Sequence, residues 1–158
     1  MSLITVHLLG LLLVVAFVSC ADNHCKPPSR ETDYQRFLRQ HYDNPKSSGG
    51  NDYCEKMMLR RCMTNLDPPK KKCKETNSFI HATKKQIQGV CGKGGKPYQN
   101  KKDLRVSLQP FSVTTCKNKG DAAVHPCQYK RSSTTRKIVI ACRKGFPTHF
   151  DEGIVVPK

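Results

Sequence analysis

The chain has 158 residues, with 28 lysines and arginines against 12 aspartates and glutamates, which gives a formal net charge of +16. That length suits a single domain. The charge favours anionic partners such as nucleic acid, anionic membranes or heparin-like glycans, without choosing among them. None of the nine cysteines stands in a CxxC pair, and no HxxxH pair is present, so the sequence argues against a zinc site.

The first 21 residues predict a secretory signal peptide. Leu8 to Val18 is an apolar run, shorter than the roughly 20 apolar residues that a membrane span needs. Ala21 and the small residues before it suit a cleavage site, although no positive charge precedes the run. A membrane anchor is the alternative. We therefore divide the chain into a signal peptide at 1–21, an N-terminal arm at 22–31 and one domain at 32–158.

A first helix is predicted to begin where Thr32 or Asp33 can cap it. Its apolar face consists of residues that recur at helical spacing: Tyr34, Phe37, Leu38, His41 and Tyr42. His41 therefore points the same way as the apolar side chains. A flexible loop follows at 45–50, where proline, serine and glycine are concentrated.

Two further helices and several strands are predicted downstream. One helix begins at Asn51 and runs through Leu59, and the other spans 81–88. Strands are expected at 76–80, 104–108 and 111–113, and a turn-rich loop at 92–97. Residues 127–130 and 137–142 predict a hairpin with its turn at 132–135, and a last short strand carries His149. Helices followed by strands favour an α+β fold.

Eight cysteines remain once Cys20 is removed with the signal peptide. An even number in a secreted chain predicts a disulfide framework, for which 105 pairings are possible. Each bridge should stabilise the fold by about 2–4 kcal/mol. The eight are Cys25, Cys54, Cys62, Cys73, Cys91, Cys116, Cys127 and Cys142.

Two histidines and a lysine meet the chemical needs of RNA cleavage by phosphoryl transfer. RNA supplies its own nucleophile, the 2′-hydroxyl, so one group must accept that proton and another must protonate the departing 5′-oxygen. Imidazole suits both roles because its unperturbed pKa is about 6.5. His41 and His149 are the candidates, and Lys74 could offset the charge that builds up on phosphorus. The alternative is that His41 is merely packed on the apolar face of its helix.

Three short blocks of sequence carry a specific resemblance. Cys73-Lys74-Glu75-Thr76-Asn77-Ser78-Phe79 resembles the signature CKxxNTF, with Ser78 in place of threonine. Gln40-His41 and His149-Phe150-Asp151 resemble the other two blocks of the same family. Over about 34–156 the chain thus resembles secreted vertebrate ribonucleases of the pancreatic (ribonuclease A) superfamily. The resemblance implies three helices packed on a bent antiparallel sheet.

The resemblance also implies the site residues. His41 would be the general base, His149 the general acid and Lys74 the cation at the transition state, with no cofactor or metal. Gln40 would hold the phosphate and Asp151 would orient His149. The pyrimidine pocket would be formed by Asn77, Ser78 and Phe150. We expect Arg36 and Arg39, within two turns of His41, to contact flanking phosphates.

Within the superfamily the chain is most similar to angiogenin-type ribonucleases of non-mammalian vertebrates. The segments that carry this likeness are 79–81, 113–116 and 126–129, and no cysteine lies between Cys91 and Cys116. The loop at 93–102 corresponds in place to the angiogenin cell-binding loop. Arg60-Arg61 lie where angiogenins have a basic nuclear-targeting cluster, with an exposed helix face as the equal alternative.

Three positions depart from the family pattern. Ser78 keeps the hydroxyl of the usual threonine and loses its methyl group. Arg143 stands where relatives usually have an acid that contacts the second base. Glu152 stands where angiogenins have a glutamine that obstructs the pyrimidine pocket, and the sequence leaves open whether Glu152 does the same.

The family pairing implies three disulfides and leaves two cysteines over. The implied bridges are Cys54–Cys116, Cys73–Cys127 and Cys91–Cys142. Cys25 and Cys62 match no family cysteine. The simplest expectation is that they pair with each other; two free thiols or an intermolecular bridge are the alternatives.

The sequence therefore predicts a secreted endoribonuclease that cleaves single-stranded RNA after pyrimidines and forms a 2′,3′-cyclic phosphate. The alternative is a cationic antimicrobial or cell-surface-binding protein whose activity does not need catalysis. Besides RNA, candidate partners are anionic cell-surface glycans, bacterial membranes and a ribonuclease inhibitor, and the protein is expected to be a monomer.

Overall fold

The computed structural model describes residues 25–65, 72–99, 101–121 and 126–157. The predicted signal peptide, Cys20 and the start of the N-terminal arm lie outside these residues. None of the helices in the described ranges is long and apolar enough to cross a membrane.

Three α-helices are found in the described residues: α1 (Asp33–His41), α2 (Tyr53–Arg60) and α3 (Lys84–Gly89), with a short 3₁₀ turn at Gly50–Asp52 before α2. The Thr32 side chain accepts from the Gln35 N–H, and the Gln35 side chain accepts from the Thr32 N–H, so α1 begins with a capping box. Capped in this way, α1 holds His41 in its last turn.

The third helix begins later than the sequence predicts. Thr83 and Gln86 form a second capping box that starts α3 at Lys84. His81 still belongs to the sheet region, because its N–H donates to the Ser112 carbonyl. The predicted helix at 81–88 was therefore wrong at its first three residues.

Nine strands are described. They are β1 (Thr64–Asn65), β2 (Lys72–Cys73), β3 (Thr76–Ile80), β4 (Gly95–Tyr98), β5 (Lys101–Ser107), β6 (Phe111–Asn118), β7 (Tyr129–Arg136), β8 (Val139–Arg143) and β9 (Phe146–Phe150). All their pairings are antiparallel. They form a two-stranded sheet β1-β2, a three-stranded sheet β3-β6-β7 and a four-stranded sheet β4-β5-β8-β9.

Two predictions in the strand-rich half of the chain were wrong: a hairpin formed by 127–130 and 137–142, and a loop at 92–97. The expected turn at 132–135 lies inside β7, which pairs with β6 from Phe111↔Arg136 to Asn118↔Tyr129. Serine and threonine suit an exposed strand, so polarity alone did not indicate a turn here. β8 pairs with β5 and β9 instead of β7. The expected loop at 92–97 includes β4, which pairs with β5.

Strand β3 lies between two hydrophobic clusters. Ile80 belongs to the cluster that contains Phe37 of α1 and Phe150 of β9. Phe79, the preceding residue, belongs to the cluster around Tyr53 and Met57 of α2. Neighbouring strand residues point to opposite faces, so β3 is fixed on both sides, and the residues just before Phe79 are held rigidly.

Four disulfides join the described elements. Cys54–Cys116, Cys73–Cys127 and Cys91–Cys142 have the partners that the family resemblance implies. The fourth joins Cys25 to Cys62, with 5.0 Å between their Cα atoms, and connects the N-terminal arm to the end of α2. Three helices, antiparallel sheets and four disulfides agree with the predicted fold class.

Candidate active site

His41 lies in the last turn of α1, between β3 and β9. Its side chain is only 3% exposed. Its Nδ1 is 2.8 Å from the Ser78 carbonyl oxygen, and because a carbonyl only accepts, Nδ1 donates and Nε2 is left unprotonated in the neutral ring. The Phe150 ring stacks on the imidazole at 5.2 Å between centroids. These contacts fix both the tautomer and the plane of His41.

The surroundings of His41 favour its neutral form. Burial lowers the pKa of His41 to about 3, and the positive charges of Lys74 and His149 act in the same direction, while the hydrogen bond to Ser78 opposes them. A neutral imidazole is the form that can accept a proton. The site therefore holds His41 ready to act as a base.

Lys74 is held in place by Asn77. The Lys74 ammonium donates to Asn77 Oδ1 at 2.7 Å, and Asn77 Nδ2 donates to the Gln40 carbonyl at 2.9 Å. Asn77 is fully buried, so its amide joins β3 to α1 beside His41. We expected Asn77 in the pyrimidine pocket; in the structure its Oδ1 accepts from Lys74 and its Nδ2 donates to the Gln40 carbonyl.

Burial also affects Lys74. Desolvation lowers its pKa, with Arg39 acting in the same direction, while the Glu152 carboxylate opposes the shift. A cation in a partly desolvated place interacts more strongly with nearby negative charge than one in bulk water. Lys74 is thus suited to interact with charge that develops near His41.

His149 lies on β9 opposite Ala141, and its side chain is exposed. It is near enough to His41 for its charge to affect the pKa of that residue. Asp151 does not orient it in this structure. The Asp151 carboxylate instead accepts from the Gly153 N–H at 3.1 Å, which stabilises the turn that carries Glu152.

The Glu152 carboxylate accepts from both donor groups of Ser78, the N–H and the hydroxyl. The Ser78 N–H donates to Oε1 at 2.7 Å, and the Ser78 hydroxyl donates to Oε2 at 2.6 Å. Oε1 is also 3.8 Å from His41 Nδ1. A ligand group that bonds to the Ser78 N–H or hydroxyl must therefore first displace Glu152.

The Glu152 carboxylate is itself largely buried, with 19% of its side chain exposed. Burial raises its pKa above the usual value, although the hydrogen bonds from Ser78 and the charges of Lys74 and Arg136 oppose that shift. Its attachment to Ser78 thus carries a desolvation cost, which makes displacement by a ligand easier.

Two more side chains contact Ser78, and sequence reasoning missed both. Thr115 of β6 lies directly opposite in the sheet, with 2.9 Å between the two hydroxyl oxygens. Arg136, 6% exposed, donates to the Ser78 hydroxyl at 3.4 Å and lies over the Phe150 ring at 5.4 Å. An arginine closing a run of serines and threonines was the only signal, and it gave no hint of burial.

The arginines on α1 differ in availability. Arg39 donates to Glu31 through Nε at 2.7 Å and through NH2 at 2.9 Å, and its NH1 donates to the Arg61 carbonyl. Its charge is neutralised, so it is poorly placed for a phosphate. Arg36 is about half exposed, and its contacts with Asp33 and Glu31 are longer, at 3.8–3.9 Å.

Phe150 packs in the core, and Gln40 contributes its backbone carbonyl to the site. The Phe150 side chain is fully buried, so it supports His41 from the core side instead of lining an open pocket. Gln40 enters the described hydrogen bonds through its backbone carbonyl. Its expected role in holding the phosphate stays a prediction.

A third histidine, His81, is held in place by hydrogen bonds at both ring nitrogens. His81 Nδ1 donates to the Asp43 carbonyl at 2.8 Å, and its Nε2 is 2.8 Å from the Thr114 hydroxyl. The buried Asp43 carboxylate also accepts from Tyr53 and Ser47. With both ring nitrogens engaged, His81 joins β3 and β6 to the loop after α1.

The arrangement as a whole provides an imidazole with a free Nε2, an exposed second imidazole and a cation that acts on the first. These are the groups needed to move a proton from a 2′-hydroxyl and another to a leaving oxygen. In the described ranges, no three histidine, cysteine, aspartate or glutamate side chains converge as a metal site would require.

Comparison with known proteins agrees with this geometry. The profile of the family described as "Pancreatic ribonuclease" matches residues 32–151. Mouse angiogenin is 44% identical over 129 residues, covering 80% of this chain and 83% of its own. Rabbit angiogenin is 47% identical over 137 residues, covering 84% and 86%. A solved structure, green turtle egg white ribonuclease, is 42% identical with a TM-score of 0.70, covering 78% of this chain and all of its own.

Proposed function

The chain belongs to the pancreatic ribonuclease family and is an endoribonuclease that needs no metal, with angiogenins among its relatives; we propose that it is secreted and cleaves single-stranded RNA 3′ to a pyrimidine. The observation that carries the proposal is the buried His41, fixed by Ser78 with Nε2 free and accompanied by Lys74 and His149. These three residues would convert the RNA strand to a 2′,3′-cyclic phosphate end.

His41 acts first. Its neutral Nε2 removes the proton from the 2′-hydroxyl as that oxygen attacks the adjacent phosphorus. The Nδ1–H···O bond to Ser78 becomes stronger as the ring gains positive charge, because charge-assisted hydrogen bonds are stronger than neutral ones. The Ser78 carbonyl thus stabilises the imidazolium that forms.

Lys74 and His149 complete the step. Negative charge grows on the phosphoryl oxygens as the new bond forms, and the Lys74 ammonium, positioned by Asn77, stabilises it. Protonated His149 gives its proton to the departing 5′-oxygen. Each histidine then holds the opposite protonation state, and hydrolysis of the cyclic phosphate by water restores both.

Ser78 recognises the base on the 5′ side of the scissile bond. Its N–H donates to Glu152 Oε1 and its hydroxyl to Oε2, so the carboxylate presents two adjacent acceptors. The pairing edge of cytosine presents the same pattern, with O2 and N3 both acceptors. Uracil presents O2 as an acceptor and N3–H as a donor.

This pattern favours cytidine over uridine at the cleavage position. Arg136 donates to the Ser78 oxygen from inside the protein, so a lone pair is already used and the hydroxyl proton is directed outward. To accept from uracil, Ser78 would have to turn its proton to Thr115, which is 2.9 Å away. Both bases therefore fit, and cytosine needs no rearrangement.

The net charge of +16 supports further anionic partners, which we propose as secondary: cell-surface glycans and bacterial membranes. A ribonuclease inhibitor is proposed as a protein partner from the family relationship. The His41→Ala variant tests whether such activities depend on catalysis, because it loses the proposed base and retains its surface charge. An activity that this variant keeps does not need RNA cleavage.

The proposal is tested with defined dinucleotides in the presence of a metal chelator. We expect the wild type to cleave cytidylyl-3′,5′-adenosine (CpA) to cytidine 2′,3′-cyclic phosphate, and His41→Ala to lose about 10²–10⁴-fold in kcat/KM. Equal activity of the two proteins, or loss of activity in chelator, would overturn the mechanism.

A further inference from the structure

Strand β7 is the outer strand of the three-stranded sheet β3-β6-β7. Between its buried ends, six consecutive residues are exposed: Lys130, Arg131, Ser132, Ser133, Thr134 and Thr135. An outer strand carries one row of backbone N–H and C=O groups that its own sheet does not use. Such a row can bond to an extended segment that adds to the sheet as a further strand.

The pairing of β6 shows which residues of β7 carry these outward groups. In an antiparallel sheet, successive residues bond alternately to the two sides of their strand. The Asn118 N–H donates to the Glu75 carbonyl on the β3 side, so Asn118 makes no ladder bond with Tyr129, its partner in β7. The Tyr129 N–H points outward instead and donates to Glu55 Oε1 at 2.8 Å. Every second residue from there has outward groups: Arg131, Ser133 and Thr135.

The outward row is covered at both ends and open in the middle. At one end Glu55 of α2 bonds to Tyr129. At the other end the Lys137 N–H donates to the Val156 carbonyl at 3.2 Å, in an antiparallel bridge with the C-terminal segment. In the part of the chain that the structure describes, no hydrogen bond reaches the outward groups of Arg131, Ser133 and Thr135. Those three residues suit an added strand of about five residues.

The charges along β7 select the kind of segment. Its exposed residues include two cations, Lys130 and Arg131, and no carboxylate. Lys117 lies directly opposite Lys130 in β6, and the Arg131 guanidinium donates to the uncharged Gly50 carbonyl. None of the ion pairs within the described ranges involves these three cations. A segment that adds to β7 thus meets an excess of positive charge, which favours acidic side chains.

A second copy of this chain is a poor occupant of the edge. Antiparallel pairing of β7 with its own copy about Ser133 sets Arg131 against Thr135. It also sets Lys130 of each copy against Arg136 of the other. Like charges directly opposite each other across a sheet destabilise the pairing. The edge is therefore protected from self-association, as edges that carry lysine commonly are, and favours a partner of opposite charge.

We propose that the outward edge of β7 binds an extended acidic segment of another protein, added as an antiparallel strand. All pairings between the described strands have that direction, and it places the C-terminal end of the segment beside Lys130 and Arg131. Neighbouring residues of a strand point to opposite faces, as these two cations do. The segment therefore ends in two consecutive acidic residues, one for each cation.

The test measures binding of a synthetic peptide, TVTSTDE, and of its reverse, EDTSTVT, both acetylated and amidated. Amide hydrogen exchange reports the edge directly. With TVTSTDE at about ten times its Kd, the amides of Arg131, Ser133 and Thr135 should exchange about tenfold more slowly. The amides of Ser132 and Thr134 already bond to β6 and should not change. The reverse peptide places its acids at the wrong end and should bind about threefold to 30-fold more weakly.

Two further comparisons separate charge from backbone bonding. Lys130→Gln/Arg131→Gln should weaken TVTSTDE about threefold to 30-fold, whereas the control Lys84→Gln/Lys85→Gln, which removes two exposed lysines from α3, should not. TVTSTDE that is N-methylated at the alternate residues facing β7 keeps its charge and loses its donors, so it should not slow exchange.

Three results would overturn the proposal: no slowing of the three outward amides by TVTSTDE, equal binding of the forward and reverse peptides, or equal weakening by the two double variants. Slow exchange of the same amides in the protein alone, with the mass of a dimer, would show that a second copy covers the edge and would overturn it too. Binding at this edge is independent of RNA cleavage, so its absence would leave the proposed function intact.

Discussion

The proposed catalytic side chains and the proposed base-recognising groups meet at Ser78, and they are in different states. On one side, Ser78 holds His41 through Nδ1, which leaves Nε2 free, and Asn77 holds the Lys74 ammonium. On the other side, both groups of Ser78 that could recognise a base are bonded to Glu152. The proposed chemistry is thus arranged in advance, while Glu152 would compete with a base for Ser78.

Catalytic competence and substrate affinity should therefore be separable by substitution in this molecule. Alteration of the catalytic side should reduce the rate on a bound substrate, and removal of Glu152 should improve binding of the base.

Lys74→Ala should give the largest loss among these variants. Removing the cation leaves the charge on the transition state without its partner, so kcat should fall about 10²–10³-fold. The circular dichroism spectrum should not change, because α1 and β3 keep their other contacts. Lys101→Ala on β5 is the control for bulk charge, and equal losses at the two positions would show that position does not matter.

Glu152→Ala should free Ser78 and tighten binding of a cytidine nucleotide. A hydrogen bond to a charged group contributes about 1.5–3 kcal/mol, and burial of the carboxylate offsets part of that, so we expect the inhibition constant of cytidine 3′-monophosphate to fall about tenfold. Glu152→Gln keeps the size of the side chain but replaces one acceptor by a donor, and should give a smaller change. An unchanged inhibition constant in Glu152→Ala would mean that the base does not compete for Ser78.

The dependence of kcat/KM on pH tests the catalytic side. His41 must be unprotonated, so activity falls as pH falls through its pKa. Burial, followed by the charges of Lys74 and His149, lowers that pKa to about 3, so the acid limb should lie below pH 5 instead of near the ordinary histidine value of about 6.5. The alkaline limb reports loss of the proton from the general acid. An acid limb at or above pH 6.5 in the free enzyme would contradict the environment described for His41.

The preference between cytidine and uridine tests the recognition side more finely. Arg136→Met removes the donor behind Ser78, so the ratio of CpA to UpA cleavage should fall by about threefold to tenfold. Thr115→Val removes the acceptor that uridine needs and should raise the same ratio. Arg131→Met, on the exposed part of the same strand, is the control for charge. Shifts of both variants in one direction would show that Ser78 is not oriented by these neighbours.

Loss of the Cys25–Cys62 bridge should affect stability with little effect on either side of the cleft. The bridge closes a loop over a sequence separation of 37, for which the chain-entropy argument gives about 3–4 kcal/mol. Cys25→Ser/Cys62→Ser should therefore lower the melting temperature and keep most CpA cleavage. Non-reducing peptide mapping of the wild type checks the pairing, and two titratable thiols in the native protein would refute it.

Sequence reasoning was most successful where the position of a residue depends on only a few neighbouring residues. Gln40-His41 at the end of a capped helix and Lys74 beside a cysteine could be placed because helix periodicity and family spacing act over a few residues. Two features could not be found in this way. The contact of Glu152 with Ser78 depends on how the chain turns after β9, and the role of Asn77 depends on the approach of α1 to β3.

Errors in the strands have a similar cause. Serine and threonine at 132–135 are compatible with a turn and with an exposed strand, and only pairing with β6 decides between them. The burial of Arg136 follows from that pairing, which places it opposite Phe111 and close to Phe150. Long-range contacts of this kind leave no periodic signal.

The most direct test of the central claim measures kcat/KM for CpA, in chelator, for wild type, Glu152→Ala, His41→Ala and the double variant. We expect kcat/KM of Glu152→Ala to exceed that of wild type, and we expect the further change His41→Ala to lower it about 10²–10⁴-fold, as it does in the wild type. If the double variant cleaves CpA as fast as Glu152→Ala, then His41 is not the base and the account is contradicted.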